Sequence, residues 1–124
     1  MPVRDMILQT NVLAAFLPEK FVQKRIADSD TLDVRLICLD TGQIFPVHTP
    51  DADAVYILWE GRADLIIGEK ETQIATGHIV SVPRGMRRGF RARAKTIVFV
   101  IHSPPLPDSL WKELETRQAM GEFP

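Results

Sequence analysis

Gly42-Gln43-Ile44-Phe45-Pro46-Val47-His48-Thr49-Pro50-Asp51-Ala52-Asp53-Ala54, running on to Gly61, and Gly77-His78-Ile79-Val80-Ser81-Val82-Pro83-Arg84-Gly85-Met86-Arg87-Arg88 are two halves of one plan. Each opens on a turn glycine, passes through apolar residues of strand-forming type and reaches a loop marked by proline. Two such glycine-led halves are the internal repeat expected of a double-motif β-barrel.

Strand patterns surround both halves. Phe21 to Ala27 and Leu32 to Leu39 read as paired strands about the polar turn Asp28-Ser29-Asp30. In the second of them Leu32, Val34, Leu36 and Cys38 share one face, and Asp33 and Arg35 the other, so a half-buried strand becomes buried on both faces at Ile37 and Leu39. Asp40-Thr41-Gly42 is the next turn, Pro46 to Asp53 a loop, and Val55 to Trp59 the most apolar strand. Ala63 to Ile67 and Thr72 to Ala75 form a hairpin about Gly68-Glu69-Lys70. Ile79 to Val82, Phe90 to Arg93 and Thr96 to His102 complete the set, and Ser103-Pro104-Pro105-Leu106-Pro107 ends it, because consecutive prolines cannot donate ladder hydrogen bonds. Asn11 is expected to cap a short helix carrying Val12, Leu13 and Phe16, stopped by Pro18. Asp108 or Ser109 is expected to cap a last helix bearing Leu110, Trp111 and Leu114, with Gly121 as its stop.

These residues resemble the cupin family, whose two motifs are G-x5-H-x-H-x3-4-E-x6-G and G-x5-P-x-G-x2-H-x3-N, with three histidines and a glutamate binding a metal inside a small barrel. The resemblance spans roughly Leu32 to Ser103 and implies an all-β fold, a double-stranded β-helix or RmlC-like jelly roll with short N-terminal and C-terminal helices. It keeps one ligand position, His48. The other three hold Pro50, Ala54 and Arg88. Pro50 and Ala54 have no side-chain donor, and Arg88 is a permanent cation that repels a metal ion. No metal cofactor is therefore expected; the alternative is a divalent transition metal on noncanonical ligands, His48 with His102, in an oxygenase or isomerase type of enzyme. The resemblance also implies a homodimer.

Period-two alternation sends Arg88 and Phe90 to one side of their strand, into the barrel if the motif holds. An unpaired buried guanidinium is costly, and its planar fork suits a carboxylate or phosphate. One reading is a pocket for a small, anionic molecule, with Arg88 as receptor, His48 as a second polar group, and Tyr56, Leu58 and Phe90 as walls (or Ile57 and Trp59 in place of the former two). The blander reading pairs Arg88 with Asp51 or Asp53, or turns its head out to water. His48 alone is a rim or pocket residue more readily than a catalyst, and no nucleophile accompanies it, so the catalytic residues are unknown and the balance leans against an enzyme.

Composition bounds the rest. With 124 residues and 14.0 kDa the chain fits one domain, a barrel core at about 21–103 between terminal arms 1–20 and 104–124. The net charge of -1 gives no overall field for nucleic acid or an anionic membrane. Six cations, Arg84, Arg87, Arg88, Arg91, Arg93 and Lys95, form a local patch, but no aromatics interleave as a base-stacking platform requires. A solvated strand face, or a rim paired with acids from Asp28 to Asp33 or Glu69 to Glu71, is the expectation there, not nucleic acid. Cys38, the single cysteine, reads as a buried apolar residue. Met1 to Gln9 has no secretory apolar core and no stretch is long enough to span a bilayer, so a cytoplasmic location and no membrane contact are expected.

Overall fold

A computed structural model describes residues 6–119 together with Gly121 and Phe123; the expectation for the first five residues lies outside the described residues. Nine strands form two facing antiparallel sheets. They are β1 (Val22–Asp28), β2 (Asp33–Leu39), β3 (Ile44–His48), β4 (Asp53–Glu60), β5 (Arg62–Ile67), β6 (Lys70–Ala75), β7 (Ile79–Val82), β8 (Arg88–Ala92) and β9 (Thr96–Ser103). One sheet has the order β1-β2-β9-β4-β7 and the other β3-β8-β5-β6. This is the expected predominantly antiparallel double-stranded β-helix, flanked by α1 (Thr10–Leu13) and α2 (Asp108–Ala119).

The core lies between the sheets. Alternate residues of the central strands point into it: Ile37 and Leu39 of β2, Tyr56 and Leu58 of β4, Ala63 and Leu65 of β5, Val98 and Val100 of β9. Tyr56 and Leu58 thus face inward, while Ile57 is half-buried and Trp59 exposed on the outer face. A second apolar cluster covers the outside of the five-stranded sheet, where Leu36, Cys38 and Ile97 are packed by Leu13, Ala14 and Phe16 of the N-terminal arm. Cys38 is buried, as expected, and desolvation raises its thiol pKa.

Several expectations are corrected. The N-terminal helix is one turn long, with Gln9 and not Asn11 at the N-cap and no side-chain capping bond, and Phe16 lies beyond it. The loop expected from Pro46 shrinks to residues 49–52, because Pro46 is accommodated inside β3. That strand is an edge of its sheet, where a missing amide donor is tolerated. The last helix begins at Asp108, so neither Asp108 nor Ser109 precedes it as a cap. The Pro107 carbonyl accepts from the amides of Leu110 and Trp111, and the Asp108 carboxylate turns to Arg25 at 3.2 Å.

The face of β2 carrying Asp33 and Arg35 is also not solvated. Asp33 is 1% exposed and Arg35 5%, because their row continues the core face through Ile37 and Leu39. They form an ion pair of 2.9 Å, and Arg35 also donates to Gln23. The guanidinium stacks over the Trp111 ring at 4.2 Å, which supplies a cation–π contact in place of water.

A bulge in β3 places the site. Phe45 pairs with Phe90, but the next recorded pair is His48 with Arg88, three residues along β3 against two along β8. The extra residue reverses the alternation, so Phe45 and His48, of opposite parity in sequence, are both buried on the core side. Gly89 permits this crossing: a Cβ there would lie 2.8 Å from Val47 Cα and backbone nitrogen. Gly89→Ala is expected to cost about 1–3 kcal/mol by forcing β3 off β8. A urea melt with an unchanged midpoint would show that the strands separate freely.

Candidate functional site

Arg88 is fully buried. Three of its N–H groups are taken by main-chain carbonyls: Nε donates to Met86 O at 2.9 Å, Nη1 to Ala52 O at 3.2 Å and Nη2 to Pro83 O at 2.7 Å. Among the described residues no carboxylate pairs with it. Asp51 binds Arg84 instead, at 3.3 Å, and Asp53 accepts the Arg84 amide. Of the alternatives for Arg88, pairing with those acids and projection to water are both excluded. The carbonyls satisfy geometry but carry no net charge, so the cation stays uncompensated, and the two N–H donors left over face the Tyr56 phenol side of the interior.

Around it lies a ring of polar side chains whose functional atoms lack a protein hydrogen bond of good geometry. His48 Nε2, both nitrogens of His102 and Trp111 Nε1 are buried and unbonded, and Tyr56 Oη, within reach of the Arg88 guanidinium, makes no hydrogen bond of good geometry. An unmet buried polar group costs about 1–3 kcal/mol, so five in one place are a strong departure from ordinary core composition. They come from β3, β4, β9 and α2, and ring contacts tie them together. Phe45 lies at 5.2 Å from His48, 6.3 Å from Tyr56 and 5.8 Å from Trp111, while His102 lies at 6.4 Å from Tyr56 and 5.9 Å from Trp111. Phe90 closes one side, 5.5 Å from Tyr56. Leu58 sits deeper along β4, opposite Val98, in the apolar floor.

Electrostatics follow from burial. Desolvation lowers His48 to about 4, opposed by the Pro46 carbonyl and reinforced by Arg88 and Arg117. His102 falls to about 3 through desolvation, then through His48, Arg88 and Arg35. Burial raises the Tyr56 phenol well above its ordinary range against the pull of Arg88. The interior therefore holds two neutral imidazoles, a neutral phenol and one cation in excess of the Asp33–Arg35 pair.

The site residues expected from sequence, His48, Arg88, Tyr56 and Phe90, come together here; Leu58 stands apart from the polar groups. His102 joins them fully buried, whereas His78 is exposed and accepts the Ala75 amide on Nδ1. Trp111 is the member that sequence reading placed only beside Leu110 and Leu114 in a helix. The helix buries Trp111, Leu114 and Gln118, and the largest apolar residue in a highly charged segment was the available signal. The helix closes the barrel mouth through Gln118 Oε1, which accepts the Phe21 amide at 3.1 Å, and through Arg117, which donates to Val47 O at 2.7 Å. A groove of about 640 Å³ runs outside it, lined by Thr49, Pro50, Leu106 and Leu110 among others.

The residues do not fit the metal that the motif implies. Among the described residues no three His, Cys, Asp or Glu side chains converge as an ion's ligands must, and the fourth motif position is the guanidinium itself. The cationic patch is also dispersed. Arg91 and Arg93 both bind buried Asp64, at 3.1 and 2.5 Å, Arg87 donates to Gly68 O, and Lys95 lies 4.9 Å over the Phe16 ring. The acids expected as partners, Asp28 to Asp33 and Glu69 to Glu71, are not the ones used, because outward residues of β8 meet Asp64 on the adjacent strand β5. No helix among the described residues is long and apolar enough to cross a membrane.

Comparison with known proteins agrees with this geometry. Residues 35–103 match the model of the cupin domain. An uncharacterised protein of Streptomyces coelicolor is 35% identical over 75 residues, 60% of this chain and 71% of the relative. Among solved structures, TT1209 from Thermus thermophilus superposes with a TM-score of 0.76 at 28% identity, covering 80% of this chain and 97% of that one. An RmlC-like cupin from Desulfovibrio desulfuricans gives 0.71 at 22% identity, covering 81% and 99%.

The two imidazoles make stability depend on pH. Their folded values lie below the ordinary 6.5, so the unfolded chain takes up protons that the folded one refuses, and stability is full above that value and lost as pH falls toward 4. Between pH 7 and 5 the unfolding free energy is expected to fall with a slope approaching ~1.4 kcal/mol per pH unit for each histidine. His102→Gln should flatten the urea-midpoint profile by about half; an already flat profile in the parent would mean that the imidazoles reach solvent.

Proposed function

This chain belongs to the cupin family, and we propose that it is a small-molecule-binding member that takes a small anionic ligand against Arg88 inside the barrel, without a metal. One observation carries the reading. A wholly buried guanidinium, with no carboxylate partner among the described residues, is surrounded by polar atoms of His48, Tyr56, His102 and Trp111 that lack a protein hydrogen bond of good geometry. A carboxylate or phosphate would neutralise the charge and use the two N–H groups left over from the carbonyl clamp. Tyr56 and Trp111 can donate to the same oxygens, and Phe90 and Phe45 exclude water around them, which strengthens each of these bonds. Arg88, His48, Tyr56 and Phe90 are thus the proposed contacts, with Leu58 as floor. The neutral imidazoles have no activated nucleophile beside them, which supports binding over catalysis.

The metal-dependent enzyme is the rival. Two histidines with bare nitrogens favour it, and the neighbouring Arg88 charge opposes it. Protein purified without an affinity tag is expected to carry no stoichiometric transition metal; iron, manganese, nickel or zinc at one per chain, lost in His48→Ala, would overturn the anion reading. In thermal-shift titrations with small carboxylates and phosphate, a ligand at a hundred times its Kd should add about 2.7 kcal/mol to stability. Tyr56→Phe, which keeps the Arg88 clamp, should weaken the shift, and Arg88→Met should abolish it. No shift with any anion sinks the proposal.

Pairing of two copies belongs to the same reading. Leu36, Phe99, Ile57 and Ile79 make a cross-strand apolar row on the outer face of the five-stranded sheet, with Trp59 against Phe99 at 5.8 Å. The arm covers the Leu36 end, whereas Ile79 is 69% and Trp59 54% exposed, a surface suited to self-association. Sedimentation should give twice the chain mass, and Ile79→Lys should shift it toward one chain; a monomer at high micromolar concentration contradicts the pairing. A cytoplasmic setting accords with a lone buried thiol.

A further inference from the structure

We propose that the lumen selects anions that also carry a hydrogen-bond donor, a hydroxy-carboxylate above all, because His48 Nε2 presents a fixed acceptor beside the Arg88 cation. This rests on the anion reading above and adds the chemical class of the ligand to it. His48 Nδ1 lies 2.7 Å from the Pro46 carbonyl, in a buried contact. A carbonyl can only accept, so Nδ1 carries the proton and the neutral ring leaves a bare lone pair on Nε2. The ring cannot rotate the donor inward, because Phe45 packs edge-on against it at 5.2 Å and the β3 bulge sets its direction.

The inventory of unpartnered atoms is therefore mixed. Trp111 Nε1 and the two spare Arg88 N–H groups can only donate, and Tyr56 Oη and His102 can do either. His48 Nε2 and Asp33 Oδ1 can only accept. A simple anion such as acetate or sulfate satisfies the donors and leaves Nε2 unpaired. A hydroxyl on the carbon next to a carboxylate supplies the missing donor within the reach of one small molecule. Leaving a buried acceptor unmet costs about 1–3 kcal/mol, so discrimination of about 10-fold or more is expected between an acid and its deoxy analogue.

The test compares matched pairs, lactate with propionate and malate with succinate, by calorimetric titration of the full chain. The hydroxylated member should bind about 10-fold more tightly. His48→Phe should reduce that ratio to within about 2-fold, whatever it does to the absolute affinity for propionate and succinate. Equal affinities in the parent chain overturn this inference and leave the anion reading standing. A preference that persists in His48→Phe assigns the hydroxyl to another group and also overturns it. If none of the four acids binds, this inference fails, and the anion reading is decided by the thermal shift with phosphate. Nitrogen-15 correlation spectra of the parent imidazoles give an answer independent of any variant: a proton on His48 Nδ1, with Nε2 shifting on lactate addition, is expected, and a proton on Nε2 excludes the proposal.

Discussion

The guanidinium of Arg88 is the constraint on which the mouth of the barrel depends. Its three carbonyl partners lie in two separate loops, Ala52 between β3 and β4, and Pro83 and Met86 between β7 and β8. Hydrogen bonds from a charged donor are worth about 1.5–3 kcal/mol each, so the clamp fixes both loops while helping to offset the desolvation of the cation. A metal held by four side chains would tie the same loops together from the same place. Here the tie is made by one buried side chain of β8, and the groups packed around it are polar ones with hydrogen bonds left to make.

Much of the fold could be read from residue order because the signals are local. Glycine at Gly42, Gly68 and Gly77 takes positive φ, and each marks a turn that the pattern anticipates. Ile79 to Val82 was read with the observed bounds of β7. Asp33 and Arg35 misled for a physical reason: polar residues announce solvent only when unpaired, and these two neutralise one another under Trp111, which lies far along the chain. The β3 bulge was nearly as hidden, since the one extra residue is defined by its pairing with β8 and by Gly89 opposite Val47, and its signal within β3 is Pro46.

The site was legible at the motif positions and opaque elsewhere. Alternation carried Arg88 and Phe90 inward and the apolar strand carried Tyr56, since each argument needs only the strand that bears the residue. His102 was visible as the last inward step of β9, although its nearness to His48 requires both sheets to close. Trp111 belongs to a helix, and the side of a helix that meets a barrel is decided by where it docks. Replacing metal ligands by Pro50, Ala54 and Arg88 has thus changed the chemistry of the cup while leaving its walls, and the polar atoms that remain define a recognition problem in hydrogen-bond donors and acceptors.

Helix α2 is a stopper seated in that cup by contacts with both rims: Gln118 and Glu115 hold it to Phe21 and Lys20, Arg117 to Val47, and Asp108 to Arg25. It takes part in no strand pairing, so its seat rests on these contacts and on Trp111 and Leu114 in the core. For a guest held beneath Trp111 as proposed, departure would wait on that seat, so residence time would be set by the helix and affinity by the barrel wall.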